Sequence, residues 1–338
     1  MTDASLTVAP VRRRAFDVLG FVEKYSILLA WILVILVFSI WKSATFPTLA
    51  NFKAIFGSSQ VPGIMITLGL LSALIVGEFD LSVHGAMSFG ASMTAWLNIS
   101  KHWPIIVCIA FVLSCGVVWG LFNALVIVRG DAPSLVITLG SGFFLQGLAL
   151  TIIGPTVLSG ASQSFVNVVT GRFLGLTWAI WFTVVLFVVL WVVLEHTPTG
   201  RYLYFVGRGR EVARLAGVRV NALRTWALVG SAVLSMLAGV LYVGTTSSAQ
   251  TNLGLNYLLP AFVGAFLGQT AIRPGQFNVW GTFAAVFFLG TATAGLNQIG
   301  ANSGVINMFY GGLLVVGVAA SAWAARRRTA RVRAVSSA

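Results

Sequence analysis

Residues 74–89 read LIVGEFDLSVHGAMSF, and this stretch places two acids, Glu78 and Asp80, between long runs of apolar sequence. An ionised acid at the centre of a membrane helix costs about 2.5–3.5 kcal/mol on insertion scales, so two acids are not expected on a lipid-facing helix. Gly77 precedes the acids, and Gly85 opens the next apolar run. The stretch therefore predicts a break between two helices of a membrane domain.

The composition of the whole chain supports this class. Of 338 residues, 58% are hydrophobic and 9% are charged, and the mean hydropathy is +0.93. These values predict an all-α polytopic membrane protein with no separate soluble domain. We predict about ten spans, each near the ~20 residues that cross a bilayer, with broken or re-entrant segments among them. They run over 25–41, 60–77, 84–100, 103–128, 134–153, 175–195, 223–246, 257–271, 279–298 and 303–324.

The basic residues bear on topology. The formal net charge is +13, and the arginines cluster in 12–14, 201–224 and 326–333, between or beyond the apolar runs. An excess of arginine in such places marks cytoplasmic loops, so we favour topology over nucleic-acid binding and place both termini in the cytoplasm. The predicted organisation is a cytoplasmic segment 1–24, one transmembrane domain 25–324 with a cytoplasmic loop 196–222, and a basic cytoplasmic tail 325–338.

The chemistry of the acids remains open at this level. An Asp just before a helix can accept hydrogen bonds from its first amides, and its charge suits the positive helix end. Asp80 is therefore either a helix N-cap or part of a pathway or gate, whereas Glu78 has no such local role. The chain lacks the G-x-x-x-x-G-K-[ST] phosphate loop and any metal-ligand cluster, so we predict a non-enzymatic protein without a catalytic residue, metal or cofactor.

Glycines recur inside the predicted spans, as at Gly140, Gly142 and Gly147. Small residues let helices approach closely in lipid, where packing drives association. These positions predict close helix contacts.

A second informative stretch is TPTGRYLYFVGRGREVARLAGVRVNALR, residues 197–224. Within it, Val212, Leu215 and Ala216 share one helical face, and Arg210 and Arg214 share the other. The glycine that follows, at 217, is placed to end the helix. The pattern predicts a short amphipathic helix that either lies on anionic lipid or docks into a groove of a partner protein.

Several motifs resemble those of the ribose-type ABC sugar permeases, the inner-membrane subunits of bacterial binding-protein-dependent importers. GEFDLSVHG is similar to the family's G-G-I-D-L-S-V-G, and NALVIVRGDAPSLVITLG to N-G-L-L-V-x(5)-P-x-F-I-x-T-L-G. TGRYLYFVGRGREVARLAGVRV is similar to T-G-R-x-x-Y-A-x-G-x-N-x-x-A-A-x-L-S-G-I-x-V, and GAFLGQTAIRPGQFNVWGT to G-G-T-S-x-x-G-G-x-G-x-x-x-G-T. The resemblance extends from about residue 45 to 323.

The resemblance implies a multi-pass permease of the bacterial inner membrane that forms the translocation pathway for a sugar or sugar-like solute. Its implied partners are a cytoplasmic ATPase that uses ATP and Mg²⁺, a periplasmic sugar-binding protein, a second permease chain and membrane lipid, without nucleic acid. The pathway or gate is expected to contain Glu78, Asp80, Ser82, Asn123 and Thr138. The ATPase coupling residues are expected to be Arg201, Arg210, Glu211, Arg214, Leu215, Ala216 and Gly217.

The sequence departs from the family pattern at three of these motif positions. Glu78 replaces a glycine, Gly209 stands where asparagine is usual, and Gln269 stands for the second glycine of G-G-T-S. The competing interpretation is an ion-coupled secondary transporter in which Glu78 or Asp80 carries a proton or cation. A third, a membrane scaffold or receptor, does not need a broken helix with two acids.

Overall fold

A computed structural model describes the backbone of residues 18–336 and the side chains of residues 25–319. Most of the predicted segment 1–24 and the arginines at 12–14 lie outside these residues, as do the side chains of the predicted tail 325–338. The last helix continues to Ser336, so the backbone of that tail is helical over nearly its whole length.

The described chain is almost entirely helical, as the sequence predicts, with two short antiparallel strand pairs. The helices are α1 (Val18–Trp41), α2 (Leu49–Ile55), α3 (Val61–Ile75), α4 (Val83–Ala95), α5 (Ile105–Ala124), α6 (Ser134–Ile153), α7 (Gln163–Thr170), α8 (Trp178–His196), α9 (Pro198–Arg208), α10 (Arg210–Leu215), α11 (Val220–Thr246), α12 (Leu255–Thr270), α13 (Val279–Gln298) and α14 (Ser303–Ser336). The strands are β1 (Leu158–Ser159) paired with β4 (Ser248–Ala249), and β2 (Arg172–Phe173) paired with β3 (Leu176–Thr177).

The count of ten spans is not confirmed. Each of the ten predicted runs contains a helix, but six helical runs in the described part are long and apolar enough to cross a membrane. Helix α12 falls short with 16 residues, because the chain leaves helical geometry at 247–254. Helix α4 begins after the non-helical residues 76–82 and continues into a π-helical turn, Trp96–Ser100, so this run is limited by its small and polar residues and not by its length. The apolar parts of α1 and α14, Tyr25–Trp41 and Ser303–Ala319, are also shorter than a full span.

Helix α11 lies at the centre of the bundle, where it packs against α3, α4 and α5. All thirteen residues of α4 are buried. Glycines permit this packing. A Cβ on Gly90 would lie 2.5 Å from the carbonyl oxygen of Met236, and a Cβ on Gly85 would overlap the carbonyl oxygen of Gly142. The predicted close packing is thus confirmed at Gly142.

Within the described part of this chain the same prediction is wrong at Gly140 and Gly147, where an added Cβ would meet none of the described atoms within 4 Å. Both glycines lie on the outer face of α6, a helix that is mostly exposed, like α5 and α8. One side of the described bundle therefore carries an open helix face.

Candidate functional site: a break between helices tied to a surface helix pair

The break predicted around the two acids is present. Helix α3 ends at Ile75, α4 begins at Val83, and the chain turns at Gly77, whose φ of 78° favours glycine. The amide of Glu78 donates to the carbonyl of Ala73, 3.0 Å away, which closes the end of α3. The break therefore positions the two acids on a fixed turn and not within a helix.

Glu78 forms the strongest electrostatic contact of the site. Its Oε1 accepts from Arg210 Nη2 at 2.7 Å and from Arg224 Nε at 2.6 Å, and Arg210 Nη2 also donates to the carbonyl of Gly77 at 2.9 Å. Glu78 is 1% exposed and Arg224 is 5% exposed. A buried charge needs a close partner of opposite sign, and here one carboxylate joins the α3–α4 break to α10 and α11.

Asp80 belongs to a separate hydrogen-bond network with Ser82 and Asn123. Its Oδ1 accepts from both the amide and the hydroxyl of Ser82, and the Asn123 side chain donates to that hydroxyl at 3.0 Å. Asp80 Oδ2 and Asn123 Oδ1 are buried and have no hydrogen-bond partner in the described part of the chain.

Thr138 on α6 completes the set of predicted pathway residues. Its hydroxyl accepts from the amide of Leu81 and lies 3.0 Å from the carbonyl of Phe79, so it braces the break between α3 and α4. The structure therefore brings together five side chains that we predicted from distant motifs. They are Glu78, Asp80, Ser82, Asn123 and Thr138.

One expectation for these residues needs correction, and the other is not tested by the structure. Asp80 is not the N-cap of α4, because that position belongs to Ser82, and Asp80 instead stabilises the turn that leads into it. All five predicted pathway residues are buried, so none is exposed to a passage in this conformation. Their role in a pathway stays a prediction, whereas their role in fixing the break is visible in the contacts.

Asp80 offers a test that separates these roles. Asp80→Asn keeps an acceptor oxygen for the Ser82 amide and hydroxyl, whereas Asp80→Ala removes it and leaves buried donors unpaired, at about 1–3 kcal/mol. We expect Asn to support normal membrane abundance and Ala to lower it, measured by immunoblot of purified membranes. If both variants reach wild-type abundance but neither transports, the residue acts in the pathway.

Helices α9 and α10 form a surface pair seated on the end of α3. The Thr197 side chain caps α9, and Gly200, the third residue of α9, packs on the end of α8. A Cβ on Gly207 would overlap the carbonyl oxygen of Ile75, so α9 touches the α3 backbone directly. Ala213 of α10 is fully buried in a cluster with Val76, at the end of α3, and Val206 of α9.

The outer surface of α10 is apolar and unusually exposed. Leu215 is 89% exposed and Val212 is 60% exposed, and Ala216 beside them is also exposed. Gly217, with φ of 80°, ends the helix as predicted. In the described part of the chain, four exposed charged side chains of this pair have no intramolecular ion pair: Arg201, Arg208, Glu211 and Arg214.

The prediction for Arg210 requires a correction. We expected it among the ATPase coupling residues, on the helix face that it shares with Arg214, but its guanidinium binds Glu78 and the Gly77 carbonyl, because the buried carboxylate lies within its reach. Arg224 was not among the predicted site residues, although the sequence contained a signal for it. An arginine inside an apolar run near the start of a helix requires an acidic partner. The buried Ala213 had no comparable signal.

Comparisons with known proteins agree with this architecture. The family described as branched-chain amino acid transport system / permease component matches residues 57–318. The ribose import permease proteins of Haemophilus influenzae and Escherichia coli are each 28% identical, over 83% and 86% of this chain and 87% and 91% of their own lengths. The autoinducer 2 import system permease protein of Salmonella paratyphi B is 27% identical over 79% of this chain and 85% of its own. No solved structure matches the chain.

These matches confirm the resemblance that the motifs indicated. Together with the six apolar helices, they make the chain a multi-pass protein of the bacterial inner membrane. The match covers more than half of the chain, including the break, the surface helix pair and the central helix α11. The chain therefore belongs to the family described as branched-chain amino acid transport system / permease component, and it is a transmembrane permease of an ABC importer.

Proposed function

We propose that this permease imports a sugar or a sugar-like small solute, delivered by a periplasmic binding protein and driven by a separate cytoplasmic ATPase. The names of its relatives support the substrate class, since they import ribose and autoinducer 2. In this proposal, both termini and the α9–α10 pair lie on the cytoplasmic side. A second permease chain completes the pathway, and ATP and Mg²⁺ are used by the partner ATPase.

The observation that carries the coupling part of the proposal is the exposure of Leu215 at 89%. Together with the exposed Val212 and Ala216, this leucine forms an apolar face on an otherwise charged surface helix. Such a face suits a pocket in a partner protein, where a helix is recognised by the anchors on one apolar side. The unpaired charges around it, such as Arg214 and Glu211, suit the polar rim of such an interface. The α9–α10 pair therefore is the proposed contact with the ATPase.

Two contacts that connect α9 and α10 to the membrane domain support this proposal. Gly207 contacts the end of α3, and Arg210 is bound to Glu78 at the break. A movement imposed on α10 would act on α3 and α11 through these contacts. A helix that merely rests on lipid needs neither the direct backbone contact nor the buried ion pair.

An ion-coupled secondary transporter fits the contacts less well. A proton-carrying acid must exchange its proton with water during transport, but Glu78 is buried and bound to two arginines. Its carboxylate oxygen already accepts hydrogen bonds from both guanidinium groups, and the side chain has almost no contact with water.

The test is uptake of labelled ribose and labelled leucine in cells that express the permease with or without its partner ATPase and binding protein. We expect ribose uptake that is lost when the ATPase is omitted, and co-purification of the ATPase with the permease. Uptake by the permease alone would refute the ABC mechanism, and uptake of leucine in place of ribose would refute the proposed substrate class.

A further inference from the structure

The burial of the predicted pathway residues leaves open how a polar solute crosses this protein. A polar side chain exposed to hydrocarbon is unfavourable, so exposed carboxamides within a membrane bundle indicate a face that meets water or protein. The described helices carry such side chains on one face, and they lie away from the network around Asp80.

The group consists of Gln146 on α6 and two asparagines near the start of α12, Asn252 and Asn256. Gln146 Nε2 donates to Asn252 Oδ1 at 2.7 Å, and Gln146 Oε1 is buried without a hydrogen-bond partner in the described part of the chain. Asn252 is exposed, and Asn256, which lies one helical turn further, is exposed as well. We call these three residues the carboxamide group.

The position of the group along the helices places it inside the bundle's length. Gln146 follows the first residue of α6 by roughly 18 Å at 1.5 Å per residue, in a helix long enough to span. The neighbouring loop also reaches the helix interior, because the amide of Gly254 donates to the hydroxyl of Ser88, at the middle of α4. The carboxamide group therefore does not lie on a loop beyond the helix ends.

The backbone around Asn252 gives a second, independent indication. Residues 247–254 leave helical geometry between α11 and α12. Irregular backbone at membrane depth is tolerated only where it is buried in protein or lines a water-filled cavity. Asn252 is exposed in this chain, so this irregular backbone faces either water or the second permease chain that completes the pathway.

We propose that the carboxamide group lines the substrate path and binds the hydroxyl groups of a neutral, polyhydroxylated solute. This inference rests on the proposed sugar-import function and adds the residues that select the substrate. Each carboxamide offers both donors and an acceptor, as a hydroxyl group requires. None of the three carries a charge, so they form no ion pair with the ammonium and carboxylate of an amino acid, and a neutral solute suits them better.

Accessibility tests the placement without relying on transport. The background variant carries Cys108→Ala and Cys115→Ala. In membranes whose two faces are both open to the reagent, Asn252→Cys should react with a membrane-impermeant, positively charged methanethiosulfonate. Val185→Cys, on the exposed apolar face of α8, is the lipid-facing control and should react only with a lipid-soluble maleimide. Reaction of Asn252→Cys with the maleimide alone would overturn the proposal.

Uptake tests the specificity role. In the complete importer, Asn252→Leu and Gln146→Leu should each lower labelled ribose uptake at least about tenfold, because a site built to hydrogen-bond a hydroxyl loses its selectivity without the partner group. The ratio of ribose to 2-deoxyribose uptake should fall, while ATPase binding stays normal. Wild-type uptake and an unchanged ratio in both variants would overturn the proposal.

The chain offers a matched control for these variants. Gln163 and Asn167 on α7 form the same kind of exposed carboxamide hydrogen bond, at 2.8 Å, and Asn167→Leu should leave ribose uptake unchanged. An equal loss in this control would assign the effect to general destabilisation and refute the specificity role. If the wild-type importer takes up leucine and no ribose, the proposed function fails, while the labelling of Asn252→Cys still decides whether it lines a path.

Discussion

Leu215→Glu is expected to abolish the complex between this permease and its ATPase, and with it substrate uptake. The leucine side chain is 89% exposed on α10, so the substitution removes no contact within the permease. In the complex, the new carboxylate would be buried in an apolar pocket without a partner, at a penalty of several kcal/mol. We expect binding to weaken at least about a hundredfold, because each 1.4 kcal/mol is tenfold.

The measurement pairs a pull-down of the ATPase with uptake of labelled ribose in cells that contain equal amounts of permease. Ala216→Glu, one residue further along, should weaken the complex in the same direction. Leu174→Glu is the matched control, since this leucine is 77% exposed in the turn between β2 and β3, far along the chain from α10. Wild-type binding and uptake by Leu215→Glu would end the assignment of α10 as the coupling helix.

Glu78→Gln is expected to destabilise the permease by about 3–5 kcal/mol, the range for removing one partner of a buried ion pair. The variant leaves Arg224, with a side chain only 6% exposed, without a counter-ion. Arg210 loses its partner too, but its side chain is 39% exposed and can turn towards water. Membrane abundance and the midpoint of thermal aggregation in detergent should both fall.

A rescue variant separates the ion pair from simple loss of a side chain. Glu78→Gly restores the glycine of the family pattern, and combining it with Arg224→Leu removes the buried cation as well, so the double variant should recover abundance. Arg273→Gln provides the comparison with a less buried pair: the side chain of Arg273, 3.0 Å from Glu195, is 49% exposed, so this variant should lose less stability than Glu78→Gln. Equal stability of Glu78→Gln and wild type would show that Arg224 is satisfied in another way.

The sequence predicted the local features of the site well. Three features could be predicted, because each depends on a short motif. They are the break at the acids, the end of α10 at Gly217 and the residues of the Asp80 network. The sequence did not predict the surroundings of α4. Its composition suggested a membrane span, but the helix is buried on every side. Burial by neighbouring helices is a property of the tertiary structure.

The partners of Glu78 illustrate the second limit. An acid in an apolar stretch indicates that a cation is near, but six arginines lie in 201–224, and only the packing of α9 on α3 selects Arg210 and Arg224. The link between Gln146 and Asn252 likewise joins residues 106 positions apart, one inside a predicted span and the other between two predicted spans. Such pairs follow from the arrangement of the helices and not from any one segment.

The ion pair of Glu78 also imposes an order on biosynthesis. Ribosomes synthesise Glu78 132 residues before Arg210 and 146 residues before Arg224. At about 5–20 residues per second, the acid waits roughly 7–30 s for its cations. During that interval, α3 to α6 can associate through Gly85, Gly142 and Thr138, while Glu78 at the end of α3 has no ion-pair partner yet. A nascent chain that stops before α11 therefore presents an uncompensated acid to the quality-control proteases of the membrane, and completion of α11 is the step that conceals it.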